Sequence, residues 1–195
     1  ARAYNLLVTS DRGAATPAYS VTPYSYTAGD TVTCSMDTGG VTGYVLTGWT
    51  GIGLIPASGP LNTTGAITFE GPETASTITW EWSVDADGDG IPDSWETTHF
   101  GNLTSTDGSL DSDGDGLTDL SEWQAGTKPT LEDSDGDGVP DPAEDGDGDG
   151  VLDLYEQTLG MHPGSTDSDV NGVADAAEDT DADGLPDAWE CRIIH

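Results

Sequence analysis

One acidic frame, DxDxDGxxDxxE, recurs six times between residues 85 and 190 and restricts the fold more than any other feature of the chain. It reads DADGDGIPDSWE from Asp85, DSDGDGLTDLSE from Asp111, DSDGDGVPDPAE from Asp133, DGDGDGVLDLYE from Asp145, DSDVNGVADAAE from Asp167 and DTDADGLPDAWE from Asp179. In the tandem pair 133–156 this sets ten carboxylates in 24 residues without a single Lys or Arg. Two like charges about 4 Å apart repel by roughly 1 kcal/mol in water, and by several times more where water is partly excluded. An ordered chain tolerates that density only with bound cations. A solvated acidic tail would need no fixed register, no Gly at position 6 of every frame and no apolar residue at position 7.

The spacing suits a hard cation that takes six to eight oxygens in a flexible shell. Carboxylates at positions 1, 3 and 5 converge when the chain turns sharply at the position 6 glycine. Position 7 offers a backbone carbonyl, position 9 ligates directly or through water, and Glu at position 12 returns with both oxygens, which favours calcium over magnesium. The candidate ligands are Asp85, Asp87, Asp89, Ile91, Asp93 and Glu96 in the first frame, and Asp111, Asp113, Asp115, Leu117, Asp119 and Glu122 in the second. Asp133, Asp135, Asp137, Val139, Asp141 and Glu144 follow in the third, and Asp145, Asp147, Asp149, Val151, Asp153 and Glu156 in the fourth. The fifth offers Asp167, Asp169, Asn171, Val173, Asp175 and Glu178, and the sixth Asp179, Asp181, Asp183, Leu185, Asp187 and Glu190. About six calcium sites or more are therefore expected. Asn171 keeps an oxygen but drops a charge, so its site is expected to bind more weakly, and the position 9 acids can reach a neighbouring ion instead of their own. His99, His162 and His195 lie outside all frames and read as surface residues.

An EF-hand shares this ligand spacing but needs a helix on each side of the loop. Here Glu144 is followed at once by Asp145 and Glu178 by Asp179, which leaves no room for an entering helix. Pro92, Pro140 and Pro186 at position 8 also lack the N–H through which such loops pair. The frames and spacers such as EWQAGTKPTLEDSDGDG and YEQTLGMHPGSTDSD resemble the bacterial thrombospondin type 3 repeat. That resemblance implies a calcium-binding array on an extracellular or cell-surface protein. Two helical turns are expected at Asp119 to Ala125 before Gly126, and again at Asp153 to Leu159 before Gly160.

Composition changes at Val84: only six of the 37 acids precede it. Residues 1–84 are rich in Thr, Ser, Gly and aromatics, with turns at Gly29-Asp30 and at Asp37-Thr38-Gly39-Gly40. Ile78, Trp80, Trp82 and Val84 alternate with polar residues, as do Tyr4, Leu6 and Val8, and Val32, Cys34 and Met36, which is the period of half-buried strands. YVLTGWTG and GAITFE read as further strands. The expected fold is thus a mainly β N-terminal domain, a small antiparallel sheet over 1–84, followed by a loop-rich calcium-bound repeat array with short helices over 85–195. The stretches YNLLVTSDRGAATPAYSVTPYSYTAGDTVTCSM, GYVLTGWTG and STITWEWSV are similar to a bacterial extracellular repeat domain related to divergent internalin B-repeats.

A formal net charge of -33 disfavours nucleic acid and anionic membranes as partners. No apolar run reaches membrane-spanning length, and the start ARAYNLLV lacks the regions of a signal peptide, so the chain reads as a mature product or an excised fragment. Cys34 and Cys191 show no CxxC spacing, and their pairing stays open. Only eight acids lie outside the frames, scattered, and no nucleophile grouping accompanies them, so no enzyme is expected. The expected role is an extracellular structural spacer stabilised by several calcium ions. The alternative is a subunit of a calcium-stabilised filament or surface layer, pairing with other copies of itself or with cell-surface proteins through an edge strand such as residues 3–9.

Overall fold

The computed structural model describes residues 2–10, 12–16, 24–37, 41–53, 58–59, 66–70, 72, 74–103 and 107–191. Strands β1 (Ala3–Thr9), β2 (Ala14–Thr16), β3 (Tyr24–Thr27), β4 (Thr31–Asp37), β5 (Tyr44–Ile52), β6 (Ser58–Gly59), β7 (Ala66–Glu70) and β8 (Ser76–Val84) precede every helix. They form a five-stranded sheet in the order β3-β1-β8-β5-β6 and a three-stranded sheet in the order β2-β4-β7. The chain passes repeatedly between the two sheets, and one crossing is the turn after β3, where the Asp30 carboxylate accepts from the Thr27 N–H at 2.7 Å. The expected turn at Asp37 to Gly40 falls largely outside the described residues.

Two features differ from the antiparallel sheet expected. The longer sheet is mixed, because β1 runs parallel to β8, with Val8 opposite Ile78. Alternation fixes which face of a strand is buried, but it carries no information on strand direction. In addition, β1 is not the edge strand expected: it lies between β3, which pairs with Ala3–Leu6, and β8, which pairs with Leu6–Thr9.

Alternation does place the core. Leu6, Val8, Tyr26, Val32, Cys34, Met36, Leu46, Trp49, Ile78 and Trp80 form one buried cluster, with Tyr4 and Trp82 packed against it. Each large side chain so enclosed contributes about 1.5–3 kcal/mol. Trp82 stays half-buried and donates its indole N–H to Ser10 Oγ at 3.0 Å. Val84, expected on the same face, is exposed, since it lies beyond the cluster where the strand leaves for the first acidic frame.

Helices α1 (Asp93–Phe100), α2 (Asp119–Ala125), α3 (Asp153–Leu159) and α4 (Asp187–Glu190) each begin at position 9 of a frame, the first, second, fourth and sixth. The third and fifth frames carry single 3-10 turns instead, at Asp141–Ala143 and Asp175–Ala177. The next frame begins two residues after each of these turns, so a longer helix has no chain to form from. Gly101, Gly126 and Gly160 end α1, α2 and α3 in the left-handed conformation. Cys34 and Cys191 are both buried and not disulfide-bonded.

Candidate metal centres

Each frame folds around its own backbone. The position 1 carboxylate accepts from the position 6 N–H in all six, for example Gly90 to Asp85 at 3.3 Å, Gly116 to Asp111 at 3.1 Å and Gly184 to Asp179 at 2.9 Å. The position 5 Oδ1 accepts from the position 7 N–H, at 2.9 Å for Ile91 to Asp89 and 2.8 Å for Leu117 to Asp115. These bonds curl positions 1 to 7 into a cup with the remaining carboxylate oxygens inside. Asp111, Asp113 and Asp115 bring ligand atoms within 4.8 Å of one another, as do Asp133, Asp135 and Asp137, and Asp145, Asp147 and Asp149. In the first frame Asp87 joins both Asp85 with Asp93 and Asp89 with Glu96.

The cup requires positive φ at two positions, and the sequence reading found one. Position 6 is Gly throughout, but position 4 is also left-handed: Gly88, Gly114, Gly136 and Gly148, then Val170 at φ 58 and Ala182 at φ 63. A β-branched residue there is strained, by about 1–3 kcal/mol. The Gly at position 4 of the first four frames was the signal for it.

Position 9 acts differently from a ligand that only faces an ion. Its carboxylate accepts from the position 2 N–H in every frame, from Ala86 to Asp93 at 2.7 Å through Thr180 to Asp187 at 3.1 Å. Where position 2 is Ser or Thr, its hydroxyl takes the second oxygen, as for Ser112 to Asp119 at 2.9 Å and Ser134 to Asp141 at 2.6 Å. Asp119, Asp141, Asp153 and Asp187 are fully buried. Position 9 therefore closes the loop onto its helix, a role that the position 2 hydroxyls would have signalled. Gly146 leaves Asp153 Oδ2 without a partner. A Cβ at Gly146 would lie 3.0 Å from the Pro163 carbonyl oxygen, which accounts for Gly there.

Glu at position 12 carries the strongest indication of an absent partner. Glu96, Glu122 and Glu156 are fully buried, and neither oxygen of any of them meets a hydrogen-bond donor. Asp89, Asp113, Asp115 and Asp147 each add an unpartnered buried Oδ2. Burial first, and then the charges of Asp113, Asp115, Asp119 and Asp141, push the Glu122 carboxyl up to about 9. Burial followed by Asp147, Asp153, Asp149 and Asp175 does the same to Glu156, and burial with Asp87 and Asp89 takes Glu96 to about 7. An unpaired buried carboxylate is costly, whereas a divalent cation with oxygen ligands satisfies both oxygens at once. The donors are oxygens alone, which fits calcium and not a metal that selects nitrogen or sulfur.

The frames differ in enclosure. Ile91, Leu117 and Val151 at position 7 of the first, second and fourth are fully buried, while Val139, Val173 and Leu185 are exposed. Glu144, Glu178 and Glu190 are only half-buried, and Glu190 accepts from Tyr155 Oη–H at 3.2 Å.

Helix-bearing frames are joined in series. Leu120 Cδ1 of α2 lies 3.8 Å from where a Cβ on Gly90 would sit, and Leu154 of α3 is at the same distance from Gly116. Gln157 bridges the second and fourth frames, accepting from Thr118 N–H at 2.7 Å and donating to the Gly116 carbonyl at 3.0 Å. Leu152 N–H meets Cys191 Sγ at 3.3 Å, which links the fourth frame to the sixth. The 3-10 turn of the fifth frame closes on the fourth: Ala176 N–H donates to Asp149 Oδ2 at 3.0 Å. His162, read as a surface residue, is buried, accepts from Gly164 N–H at 3.1 Å and is pushed down to about 4 by that burial. His99 is half-buried and meets Trp95 in a tilted ring contact with centroids 4.6 Å apart; His195 lies outside the described residues.

A small mixed β unit followed by short helices on acid-lined loops is thus the class of protein that the fold and sites define. Residues 85–101 and 111–131, the first two frames with their helices, match the bacterial TSP3 repeat. No curated protein and no solved structure matches the chain. Among the described residues no helix is long and apolar enough to cross a membrane.

Proposed function

We propose that the chain is an extracellular spacer in which a β unit over 1–84 displays or joins a calcium-stiffened array over 85–195. The carrying observation is that Glu96, Glu122 and Glu156 are fully enclosed with both carboxylate oxygens unpartnered. In this reading positions 1, 3, 5 and 12 hold each ion with the position 7 carbonyl, and position 9 holds the loop in shape. The likeness of the first two frames to the bacterial TSP3 repeat supports calcium and an extracellular setting.

Series contacts between successive helix-bearing frames support a spacer, because each unit depends on its neighbours and not on one shared core. A compact chain of this length has a radius of gyration of about 16 Å and an unfolded one about 47 Å. Small-angle scattering should give a calcium-bound value between the two that rises on chelation. A calcium-bound value at the compact limit would replace the spacer with a globular unit. The filament alternative draws support from Val139, Val173, Leu185 and Trp189, all exposed. Sedimentation in calcium that reports a single chain would exclude it.

A further inference from the structure

The fifth frame departs from the others at the atom that should face the cation. In the first, second, third, fourth and sixth frames position 5 is Asp: Oδ1 accepts from the position 7 N–H, and Oδ2 is a second acceptor oxygen that meets no donor of its own frame, although in the fourth it accepts from Ala176 N–H. In the first two that Oδ2 is buried and unpartnered. In the fifth frame Asn171 Oδ1 accepts from Val173 N–H at 2.7 Å, the same bond, and this fixes which way the amide points. The atom in the ligand position is then Nδ2, a donor with no lone pair to offer. It donates to Glu178 Oε1 at 2.6 Å and to Asp169 Oδ2 at 3.1 Å. These are the position 12 and position 3 carboxylates, two of the groups that an ion would need.

The geometry points to a fifth frame that is closed by the Asn171 amide and takes no calcium ion in the manner of its neighbours. The inference rests on the calcium reading of the other frames. Two further observations agree with it. The Asn171 amide supplies Glu178 Oε1 with the donor that Glu96, Glu122 and Glu156 lack. Val170 stands where the first four frames have Gly, and its backbone is held in the left-handed conformation at φ 58. The fifth frame is also the one whose 3-10 turn closes the fourth, through Ala176 N–H to Asp149 Oδ2. An amide that holds Asp169 and Glu178 keeps that turn in place at calcium concentrations too low to fill a site.

Counting ions on the full chain by native mass spectrometry at saturating calcium tests this, with isothermal titration as the second readout. Asn171→Asp should raise the ion count by one, because it restores Oδ2 and removes the competing donor. Asp115→Asn in the second frame should lower the count by one, by turning Nδ2 toward Glu122. Wild-type and Asn171→Asp chains with equal counts, or an Asp115→Asn chain that keeps its full count, would overturn the inference and leave the other sites standing. A wild-type chain that binds no calcium at all would instead remove the functional reading on which it rests.

Discussion

Between residues 3 and 84 the fully enclosed side chains include Leu6, Cys34 and Ile78, whereas between 85 and 190 they include Glu96, Asp119, Glu122, Asp141, Asp153 and Glu156. The first set gains stability by leaving water, under any ionic conditions. The second set loses by the same step unless each oxygen finds a partner. Position 9 finds a partner within the chain, a backbone N–H in every frame and a Ser or Thr hydroxyl as well in the second, third, fifth and sixth. In the first, second and fourth frames position 12 does not, and on the proposed reading a cation supplies the partner that Glu96, Glu122 and Glu156 lack. Ile91, Leu117 and Val151 contribute one enclosed apolar residue to each of three frames, which is too little for an independent core.

The difference can be broken from the β side first. Trp80→Ala should cost about 3–5 kcal/mol, the usual range for a buried aromatic. The loss should be equal in calcium and after chelation when read by denaturant unfolding of the β unit. A loss that depended on calcium would mean that the two halves do not draw on separate sources of stability.

On the acidic side, Glu122→Gln should act with opposite signs in the two states. With calcium at about 100 times the dissociation constant, a filled site contributes roughly 2.7 kcal/mol, and most of that should vanish with the carboxylate. In the ion-free chain at neutral pH the substitution should stabilise, because Glu122, pushed up to about 9 by burial and then by Asp113, Asp115 and Asp119, must take up a proton to fold, and Gln need not. Thermal melts of both states decide the sign.

Acidity sharpens the same contrast. Glu122 and Glu156 are raised from 4.5 to about 9, with burial as the larger cause. A group held above its unfolded value stabilises the fold below that value and loses the effect as pH rises through the folded one. The ion-free array should therefore be better ordered at pH 5 than at pH 9. The calcium-loaded array should show the reverse, since protons compete with the ion for the same oxygens. Circular dichroism of the short helices at the two pH values, with calcium and after its removal, reads both.

A smaller effect is expected at Ser168, which is buried, donates to Asp175 Oδ2 at 2.7 Å and accepts from His162 N–H at 2.7 Å. Ser168→Ala should cost about 1 kcal/mol for each bond lost, confined to the fifth frame. Residue-level amide exchange should show the change at Asp167 to Ala177 and none in β8.

Much of this was legible in the sequence because it follows from local periods. Alternation marked Leu6, Val8, Cys34, Ile78 and Trp80 as core, and Gly126 and Gly160 marked the ends of α2 and α3. The parallel pairing of β1 with β8 was hidden, since it joins segments about 70 residues apart and depends on partner choice, not on pattern. The acidic frames were visible in the sequence, while the role of position 9 was not. Asp119 and Asp113 are the same residue type, and only the fold shows that one meets Ser112 while the other faces its neighbours. At Asn171 the sequence promised an oxygen, and the Val173 N–H claims it.

The most direct measurement of the dependence on cations is amide hydrogen exchange across the whole chain, with calcium and with EGTA at constant pH. Protection in β1, β5 and β8 should be unchanged, and protection at the position 6, 7 and 9 amides of the first, second and fourth frames should collapse on chelation. Unchanged protection at Gly116, Leu117 and Asp119 in EGTA would contradict the account, because those amides would then be held without an ion between Asp113, Asp115 and Glu122.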